Sequence, residues 1–215
     1  MLEETMNTLL LATSNPHKVE EVSAVLAPLG WNICTLEDVA NGRPLPSEPV
    51  EDAPDFEGNA AIKAKAYAAW SGLPTLADDS GLVVDVLDGA PGVHSARWSG
   101  VEGDRATRDA ANNQKLIQAV APFPESDRTA RFVCVLCLAE PDGNIRHLAR
   151  GVMEGHITTH PRGGNGFGYD PLLVLSEGCT SAELPAQEKN GRSHRGAACR
   201  ALAEALGQPQ DRDPQ

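Results

Sequence analysis

The 215-residue sequence contains no apolar run of about 20 residues, which is the length that a membrane-spanning helix needs. It also has little positive charge, because 18 Lys and Arg residues face 30 Asp and Glu residues and leave a net charge of −12. Such an acidic chain is poorly suited to bind nucleic acid or an anionic membrane surface. The start, Met1-Leu2-Glu3-Glu4, lacks the positive region of a secretory signal. We therefore expect a cytoplasmic protein with no nucleic-acid and no membrane partner.

Cysteine is scarce, since the chain has five cysteines, an odd number, and they are scattered. This usage indicates a reducing compartment and not a disulfide framework. Cys134 and Cys137 have the spacing of half a zinc site, but residues 132–138 have the pattern of a buried strand, in which positions i and i+3 face opposite sides. His156 and His160 have helical metal spacing, but β-branched residues and a following proline disfavour a helix there. The sequence therefore predicts no zinc site.

Two glycine-rich phosphate-binding signatures are also missing. The loop after the first predicted strand, residues 13–18, has no Walker A glycines. The glycines of 163–168 precede Pro171 and a strand-like run, whereas a dinucleotide fingerprint requires a helix at that point. These absences exclude the commonest nucleotide-binding loops but not nucleotide binding itself.

What the sequence does contain is an alternation of strand-like and helix-like segments, which is typical of an α/β protein. Strands are predicted at 8–12, 31–35, 73–77, 82–87, 130–139, 145–153 and 172–175. Helices are predicted from Pro16 onward, at 59–70, 104–120 and 183–188, and after Ser193. Residues 36–56, with four prolines, are predicted to lack regular structure. We expect residues 1–207 to form a single domain and 208–215 to be a disordered tail.

The stretch around which the chain is organised is Asp78-Asp79-Ser80-Gly81, between two strands rich in Leu and Val. Adjacent carboxylates at the end of a core strand are costly unless a cation or a positioned water offsets the cost. Oxygen ligands of this kind suit Mg²⁺, which binds through one or two carboxylates and substrate phosphates. The alternative is an ordinary surface turn, because Asp, Ser and Gly are common turn residues. These residues alone do not separate the two readings.

Two other loops carry candidate ligand-binding groups. Residues 13–18 lie between a strand and a helix, where helix N-terminal N–H groups and Lys18 would attract an anion. A capped helix with a solvent-exposed lysine has the same pattern. In the second loop, 163–171, glycines allow close backbone approach, and Phe167 and Tyr169 offer stacking faces. A flexible hairpin is the alternative there.

Taken together, these loops resemble one family, the inosine triphosphate pyrophosphatase-like enzymes. The matching stretches, in chain order, are Thr13-Ser14-Asn15-Pro16-His17-Lys18, Phe56-Glu57-Gly58-Asn59-Ala60, 76–82, 89–100, 164–171 and Ser193-His194-Arg195-Gly196. Each stretch is a weak signal, but the ordered set is specific and spans residues 8–206.

The resemblance implies an elongated mixed central sheet flanked by helices, with two lobes and a cleft between them, and a homodimer. It implies Mg²⁺-dependent hydrolysis of the purine nucleoside triphosphates ITP, dITP and XTP to the monophosphate and pyrophosphate, which removes these nucleotides from the nucleotide pool.

The resemblance also implies site residues by motif position. Asp79 would be the catalytic proton acceptor and a metal ligand, and Glu51 the second metal ligand, with Asp52 as the alternative. Residues 13–18 would hold the triphosphate, Phe167 would stack on the base, and Asp170, His194 and Arg195 would read its edge. The substrate-binding set implied in this way is Thr13, Ser14, Asn15, Pro16, His17, Lys18, Ser80, Phe167, Gly168, Tyr169, Asp170, Lys189, His194 and Arg195.

Two other classes of protein are compatible with parts of the pattern. An aspartyl-phosphate phosphotransferase would use Asp79 as a nucleophile, although its motif has different spacing. A nucleotide sensor without activity would keep the glycine and aromatic loop but would not need the carboxylate pair. A trapped phosphoaspartate would indicate the first class, and binding without turnover in Mg²⁺ would indicate the second.

Overall fold

The structure, a computed structural model, describes residues 7–207, so the predicted tail at 208–215 lies outside the described residues. The strands are β1 (Asn7–Leu11), β2 (Trp31–Cys34), β3 (Thr75–Val84), β4 (Thr129–Ala139), β5 (Ile145–Ile157) and β6 (Leu173–Val174). The α-helices are α1 (Pro16–Leu26), α2 (Leu36–Ala40), α3 (Phe56–Ser71), α4 (Arg105–Val120), α5 (Ala186–Arg192) and α6 (His194–Gly207). None of these helices combines the length and the apolar content that a membrane-spanning helix needs.

The strands form one six-stranded sheet in the order β2-β1-β3-β4-β5-β6. β1 is parallel to both β2 and β3, whereas β5 and β6 are antiparallel, so the sheet is mixed. β1 lies between β2 and β3, and its apolar residues 9–11 are buried, as expected for an interior strand with parallel neighbours. The predicted α/β fold with a mixed sheet flanked by helices is confirmed.

The chain groups into two compact units. The first unit contains the residues up to Asp79, 135–151 and the residues from Arg195 onward; the second contains Ser80–Cys134 and Val152–His194. The single domain expected for 1–207 stays a prediction. The second unit has a hydrophobic core whose largest members come from β3, α4, β4 and β5 and from the segment that follows β5. They include Leu82, Leu116, Phe132, Ile157, Tyr169 and Leu172.

The helix predicted at 104–120 is confirmed as α4, whereas the helix predicted at 59–70 is present as α3 but begins three residues earlier, at Phe56. α3 begins at Asp55, whose Oδ1 accepts a hydrogen bond from the Gly58 N–H at 2.7 Å, and it ends at Gly72 in the left-handed conformation. α4 begins in the same way at Asp104, whose Oδ1 accepts from the Thr107 N–H at 2.8 Å. An aspartate cap therefore stabilises the start of each of these two helices.

The break predicted between separate strands at 73–77 and 82–87 is wrong. β3 runs without interruption from Thr75 to Val84, and both aspartates belong to it with their side chains buried. An aspartate pair within a strand is tolerated because cationic side chains from other elements neutralise it, as the site geometry below shows.

Two further predictions on the secondary structure need correction. Residues 36–56 are not wholly irregular, because a capping box between Thr35 and Asp38 starts the short helix α2. The helix predicted at 183–188 begins only after Pro185 and continues to Arg192 as α5. Residues 181–183 form a separate 3₁₀ turn.

Candidate active site

The buried carboxylate of Asp78 is neutralised by cationic side chains of the first unit. Its side chain is 4% exposed, and Lys18 of α1 places Nζ 2.7 Å from Asp78 Oδ2. The Arg195 guanidinium of α6 lies 3.5 Å from the same oxygen. Burial opposes ionisation of Asp78, but the charges of Lys18, Arg195 and Lys63 outweigh burial and hold the pKa of this carboxyl well below its ordinary value. Asp78 is therefore an anion near neutral pH that orients two cations.

Asp79 has a different environment. Lys63 of α3 lies between two carboxylates, with Nζ 3.0 Å from Glu51 Oε2 and 3.5 Å from Asp79 Oδ1. Asn59, one helical turn before Lys63, also hydrogen-bonds the Asp79 side chain. Burial raises the pKa of Asp79 above its ordinary value, and the negative charge of Glu51 adds to this rise, while Lys63 and Asn59 offset it only in part. Asp79 thus accepts a proton more readily than an ordinary aspartate.

The pair Glu51 and Asp79 fits a Mg²⁺ ion in its donor chemistry. Both carboxylates approach the single positive charge of Lys63, and both are oxygen donors. Within residues 7–207 no three His, Cys, Asp or Glu side chains form a group that could hold a metal by themselves. Two carboxylates are nevertheless sufficient for Mg²⁺ when substrate phosphates complete its ligands. Asp52 is exposed, whereas Glu51 is half-buried beside Lys63, so the geometry favours Glu51 over Asp52.

The predicted triphosphate loop joins β1 to α1. Thr13 Oγ1 accepts a hydrogen bond from the Asn15 N–H at 3.2 Å. The Asn15 carbonyl accepts from the N–H groups of Lys18 and Val19, so Asn15 is at the helix start, as predicted. Pro16 and His17 form the first residues of α1.

A cavity of about 370 Å³ adjoins this loop and is lined in part by Thr13 and Ser14. Glu20 and Glu37 also line it and make it acidic. The cavity is therefore less suited to phosphate than the side of the loop that carries Lys18.

Arg195 is held between two acids. Its Nη1 lies 2.7 Å from Glu21 Oε2, and its Nη2 contacts Asp78. Glu21 is one helical turn after Lys18 on α1, so the two residues face the same side. Lys18, Asp78, Arg195 and Glu21 form a chain of alternating charges in the first unit. The predicted base-reading arginine is thereby linked to the predicted phosphate-binding lysine.

In the second unit, Asp170 holds the loop 163–171 together. Ser181 Oγ donates to Asp170 Oδ1 at 2.7 Å, while Lys189 Nζ and the Phe167 N–H donate to Oδ2 at 2.5 and 2.8 Å. A methyl group added at Gly166, which has φ +83°, would collide with Asp170 Oδ2 and Lys189 Nζ. Asp170 and Lys189 therefore fix the conformation of the loop. Their direct contact with substrate stays a prediction.

The Phe167 ring has cations on its face. The Arg105 guanidinium lies 4.1 Å from the ring centroid, and Lys189 Nζ lies 6.0 Å from it. The next residue, Gly168, is fixed through its backbone, because its N–H donates to Asp109 Oδ2 at 2.9 Å and its carbonyl accepts from Asn113 at 3.0 Å. α4 therefore positions the loop that carries Phe167.

Three other predicted residues have distinct surroundings. Tyr169 is buried in the core of the second unit and donates its hydroxyl to the Ser95 carbonyl at 2.9 Å, so the geometry favours packing over the stacking face expected for it. His194 stacks on Phe132 with ring centroids 5.0 Å apart. Ser80 is half-buried in β3, directly after Asp79.

Sequence reasoning did not assign roles to several residues that build the site. Asn59 and Lys63 share one face of α3 at a spacing of four residues, and this spacing was a usable signal for a polar pair facing the sheet. The spacing of three residues between Lys18 and Glu21 on α1 was a similar signal that the two side chains lie on one face of the helix. Arg105, Asp109 and Ser181 gave no local signal, because their partners are far away in the sequence.

The sequence matches the model of the Ham1 family over residues 9–205. The chain belongs to the Ham1 family. This match confirms the family resemblance of the ordered loops. The matched residues 9–205 include all the site residues described above.

Two relatives and two solved structures of Ham1-type proteins illustrate the similarity. A dITP/XTP pyrophosphatase of Geobacter sulfurreducens is 47% identical over 94% of this chain and 98% of its own length. One of an Exiguobacterium species is 49% identical over 90% of this chain and 94% of its own length. A HAM1 protein structure from Coxiella burnetii has a TM-score of 0.83 at 39% identity, covering 94% of this chain and 98% of that chain. A dITP/XTP pyrophosphatase structure from Mycobacterium abscessus has a TM-score of 0.74 at 42% identity, covering 94% of this chain and 100% of that one.

Proposed function

We propose that this protein is a Mg²⁺-dependent nucleoside triphosphate pyrophosphohydrolase that acts on ITP, dITP and XTP and releases the monophosphate and pyrophosphate. The observation that carries the proposal is the convergence of Glu51 and Asp79 on Lys63. The relatives named dITP/XTP pyrophosphatase support the choice of substrate. Such an enzyme removes deaminated purine nucleotides from the nucleotide pool.

Cleavage between the α- and β-phosphates requires neutralised phosphate oxygens, a base for the attacking water and a held leaving group. Lys18 and the N–H groups at the start of α1 bind the triphosphate, and Lys63 supplies a second cation. Bound to Glu51 and Asp79, Mg²⁺ would neutralise further charge on the phosphate oxygens. These groups provide local positive charge in a protein whose net charge is −12.

Asp79 is the group proposed to take the proton from the attacking water. A general base is most effective when its pKa approaches the working pH, and in the metal-free protein the surroundings of Asp79 move its pKa in that direction. Asp78 cannot replace it, because Lys18 and Arg195 hold the pKa of Asp78 low. Two adjacent carboxylates thus receive separate roles from their surroundings.

The loop 163–171 is proposed to bind the purine base. Phe167 provides a stacking face, which adds affinity but little selectivity because every base has a π-face. Selectivity is proposed to come from hydrogen bonds: a 6-oxo purine accepts at O6 and donates from N1–H, and adenine has the opposite pattern. Arg195 or backbone N–H groups would donate to O6. Each buried polar group left unpaired by adenine costs about 1–3 kcal/mol, so two mismatches give roughly 10²- to 10⁴-fold discrimination.

A substrate panel tests the proposal. We expect kcat/KM for ITP, dITP and XTP to exceed the value for ATP by a large factor and also to exceed the value for GTP. Arg195→Ala should reduce the preference for ITP over ATP more than Phe167→Ala, which should mainly raise KM. Equal use of ATP and ITP by the wild-type protein would refute the assignment.

We also propose that the protein is a cytoplasmic homodimer. Five free cysteines suit a reducing compartment, and the homodimer is the expectation from the family resemblance. Sedimentation equilibrium of the purified chain, with a mass of 22.7 kDa per subunit, decides the oligomeric state. A single species with the mass of one subunit at micromolar concentration would contradict the homodimer.

A further inference from the structure

Arg105, in the first turn of α4, covers the aromatic face that is proposed to receive the base. Its guanidinium carbon lies 4.1 Å from the centroid of the Phe167 ring, which is direct stacking distance. A base cannot stack on that face while the guanidinium lies there. Arg105 must therefore move when a base stacks on this face of Phe167. Its new position determines whether its guanidinium contacts the bound base.

Among the described residues 7–207, the other contact of the Arg105 side chain is a weak one. Its side chain is 44% exposed, and its Nε lies 3.8 Å from Asp109 Oδ2, which already accepts the shorter hydrogen bond from Gly168 N–H. Exposed ion pairs of this length contribute little to the stability of the folded protein. Lys189, the other cation near the ring, is in contrast fixed by Asp170 at 2.5 Å. Of these two cations, Arg105 is the one that can be displaced at low cost.

We propose that Arg105 is a specificity-determining residue that stacks on the outer face of the base once the base lies on Phe167, and that its positive charge favours xanthine over hypoxanthine. This inference rests on the function proposed above. A planar guanidinium stacks on a base as it does on an aromatic ring, so displacement from Phe167 exchanges one stacked contact for another. The base is then held between two planar groups of the second unit.

The preference for xanthine follows from charge. The second ring carbonyl of xanthine acidifies a ring N–H, so the base of a xanthosine nucleotide is partly anionic near neutral pH, whereas hypoxanthine is neutral. A guanidinium in stacking contact attracts the anionic base more strongly than the neutral one, and partial desolvation increases this difference. Phe167 alone makes no such distinction.

A simpler role for Arg105 makes the opposite prediction. If Arg105 only covers an apolar ring in the free protein, it competes with the base, and its removal would lower KM for every nucleotide. If it stacks on the bound base, its removal raises KM. The sign of the change therefore separates the two roles.

The test compares Arg105→Gln, which keeps a planar polar group without charge, with Arg105→Lys, which keeps the charge without the plane. Arg108→Gln is the matched control, because it removes the same charge from the same turn of α4. For Arg105→Gln we expect KM for XTP to rise about 5- to 20-fold and KM for ITP to rise about 2- to 4-fold. These factors span the range from a partly exposed to a desolvated cation–π contact. We expect kcat to change less than about twofold. Arg105→Lys should retain most of the XTP preference, and Arg108→Gln should match the wild type.

Calorimetric titration with the products XMP and IMP repeats the comparison without turnover. Suppose that the wild type binds or hydrolyses both nucleotides. If the KM values of Arg105→Gln then equal those of Arg108→Gln or are lower, the role of Arg105 is overturned and the proposed function stays intact. A wild type that hydrolyses neither XTP nor ITP would overturn the proposed function. The XMP and IMP titrations would then decide the role of Arg105 independently.

Discussion

Lys18 Nζ lies 2.7 Å from Asp78 Oδ2, so the cation expected to hold the triphosphate is already paired with a buried carboxylate. This contact keeps Lys18 in one position before any substrate arrives, which reduces the entropy that binding must remove. It also gives the two neighbouring aspartates different surroundings: Asp78 orients cations, and Asp79 is left for the proposed role as a base.

The first prediction concerns Asp78. Asp78→Asn leaves the charges of Lys18 and Arg195 buried without their shared anion, so we expect the free energy of unfolding to fall by about 3–5 kcal/mol at pH 7. Urea denaturation measures this change, and the exposed Glu102→Gln is the control. A loss below about 0.5 kcal/mol, the range of ordinary surface substitutions, would contradict the role of Asp78.

The same variant predicts a pH dependence. The pKa of Asp78 is lowered in the folded protein, so its stabilising effect is complete above the ordinary value of 3.8 and is lost as the pH falls below it. The difference in stability between wild type and Asp78→Asn should therefore be constant near neutral pH and decrease in acid. A difference in stability that grows in acid would show that the pKa of Asp78 is not lowered in the folded protein.

The second prediction concerns Lys63. In Lys63→Met the carboxylates of Glu51 and Asp79 lose the cation between them, so the metal-free protein should be less stable and should bind Mg²⁺ more tightly. Because a ligand stabilises by RT ln(1 + [L]/Kd), Mg²⁺ should raise Tm more in the variant than in the wild type. Lys65→Met, on the exposed side of α3, is the control. The same Mg²⁺ shift in Lys63→Met and wild type would indicate that the metal binds elsewhere.

The third prediction separates Glu51 from Asp52. Glu51→Gln should raise the Mg²⁺ concentration needed for half-maximal activity by about tenfold or more, since it removes one of two carboxylate ligands. Asp52→Asn should leave this Mg²⁺ concentration within about twofold of the wild-type value, because surface substitutions have small effects. The comparison is a Mg²⁺ titration of ITP hydrolysis, and the reverse pattern would assign the metal to Asp52.

The fourth prediction concerns Gly166, where a side chain would collide with the Asp170–Lys189 pair. Gly166→Ala should raise KM for ITP about tenfold or more, because a non-glycine residue in the left-handed region costs about 1–2 kcal/mol before the collision is counted. Gly164→Ala is the matched control, since a methyl group there meets no atom within 4 Å. Equal KM values in the two variants would show that the loop conformation does not govern base binding.

The elements that could be predicted from the sequence are those with local signals. The strand–loop–helix at β1 and α1 followed from an apolar run, Asn15 and Pro16, and the helix predicted at 104–120 agrees with α4. The ordered loops were sufficient to recognise the family, although no single loop was.

The uninterrupted course of β3 could not be predicted in the same way. Two adjacent aspartates have poor strand propensity, and the cations that make them acceptable come from Lys18, Lys63 and Arg195, far away in the sequence. The contact between Arg105 and Phe167 is equally non-local. What the sequence does not reveal is therefore the electrostatic pairing that only the fold brings together.

The most direct test of the proposed function is the identity of the products. Purified protein is incubated with dITP and Mg²⁺, and the products are separated by ion exchange, with Asp79→Asn as the control that keeps shape but removes the base and a metal ligand. We expect dIMP and pyrophosphate in equal amounts from the wild type, and a rate lower by at least about 10²-fold in Asp79→Asn. Orthophosphate and dIDP as primary products, or an Asp79→Asn variant as active as the wild type, would contradict the account.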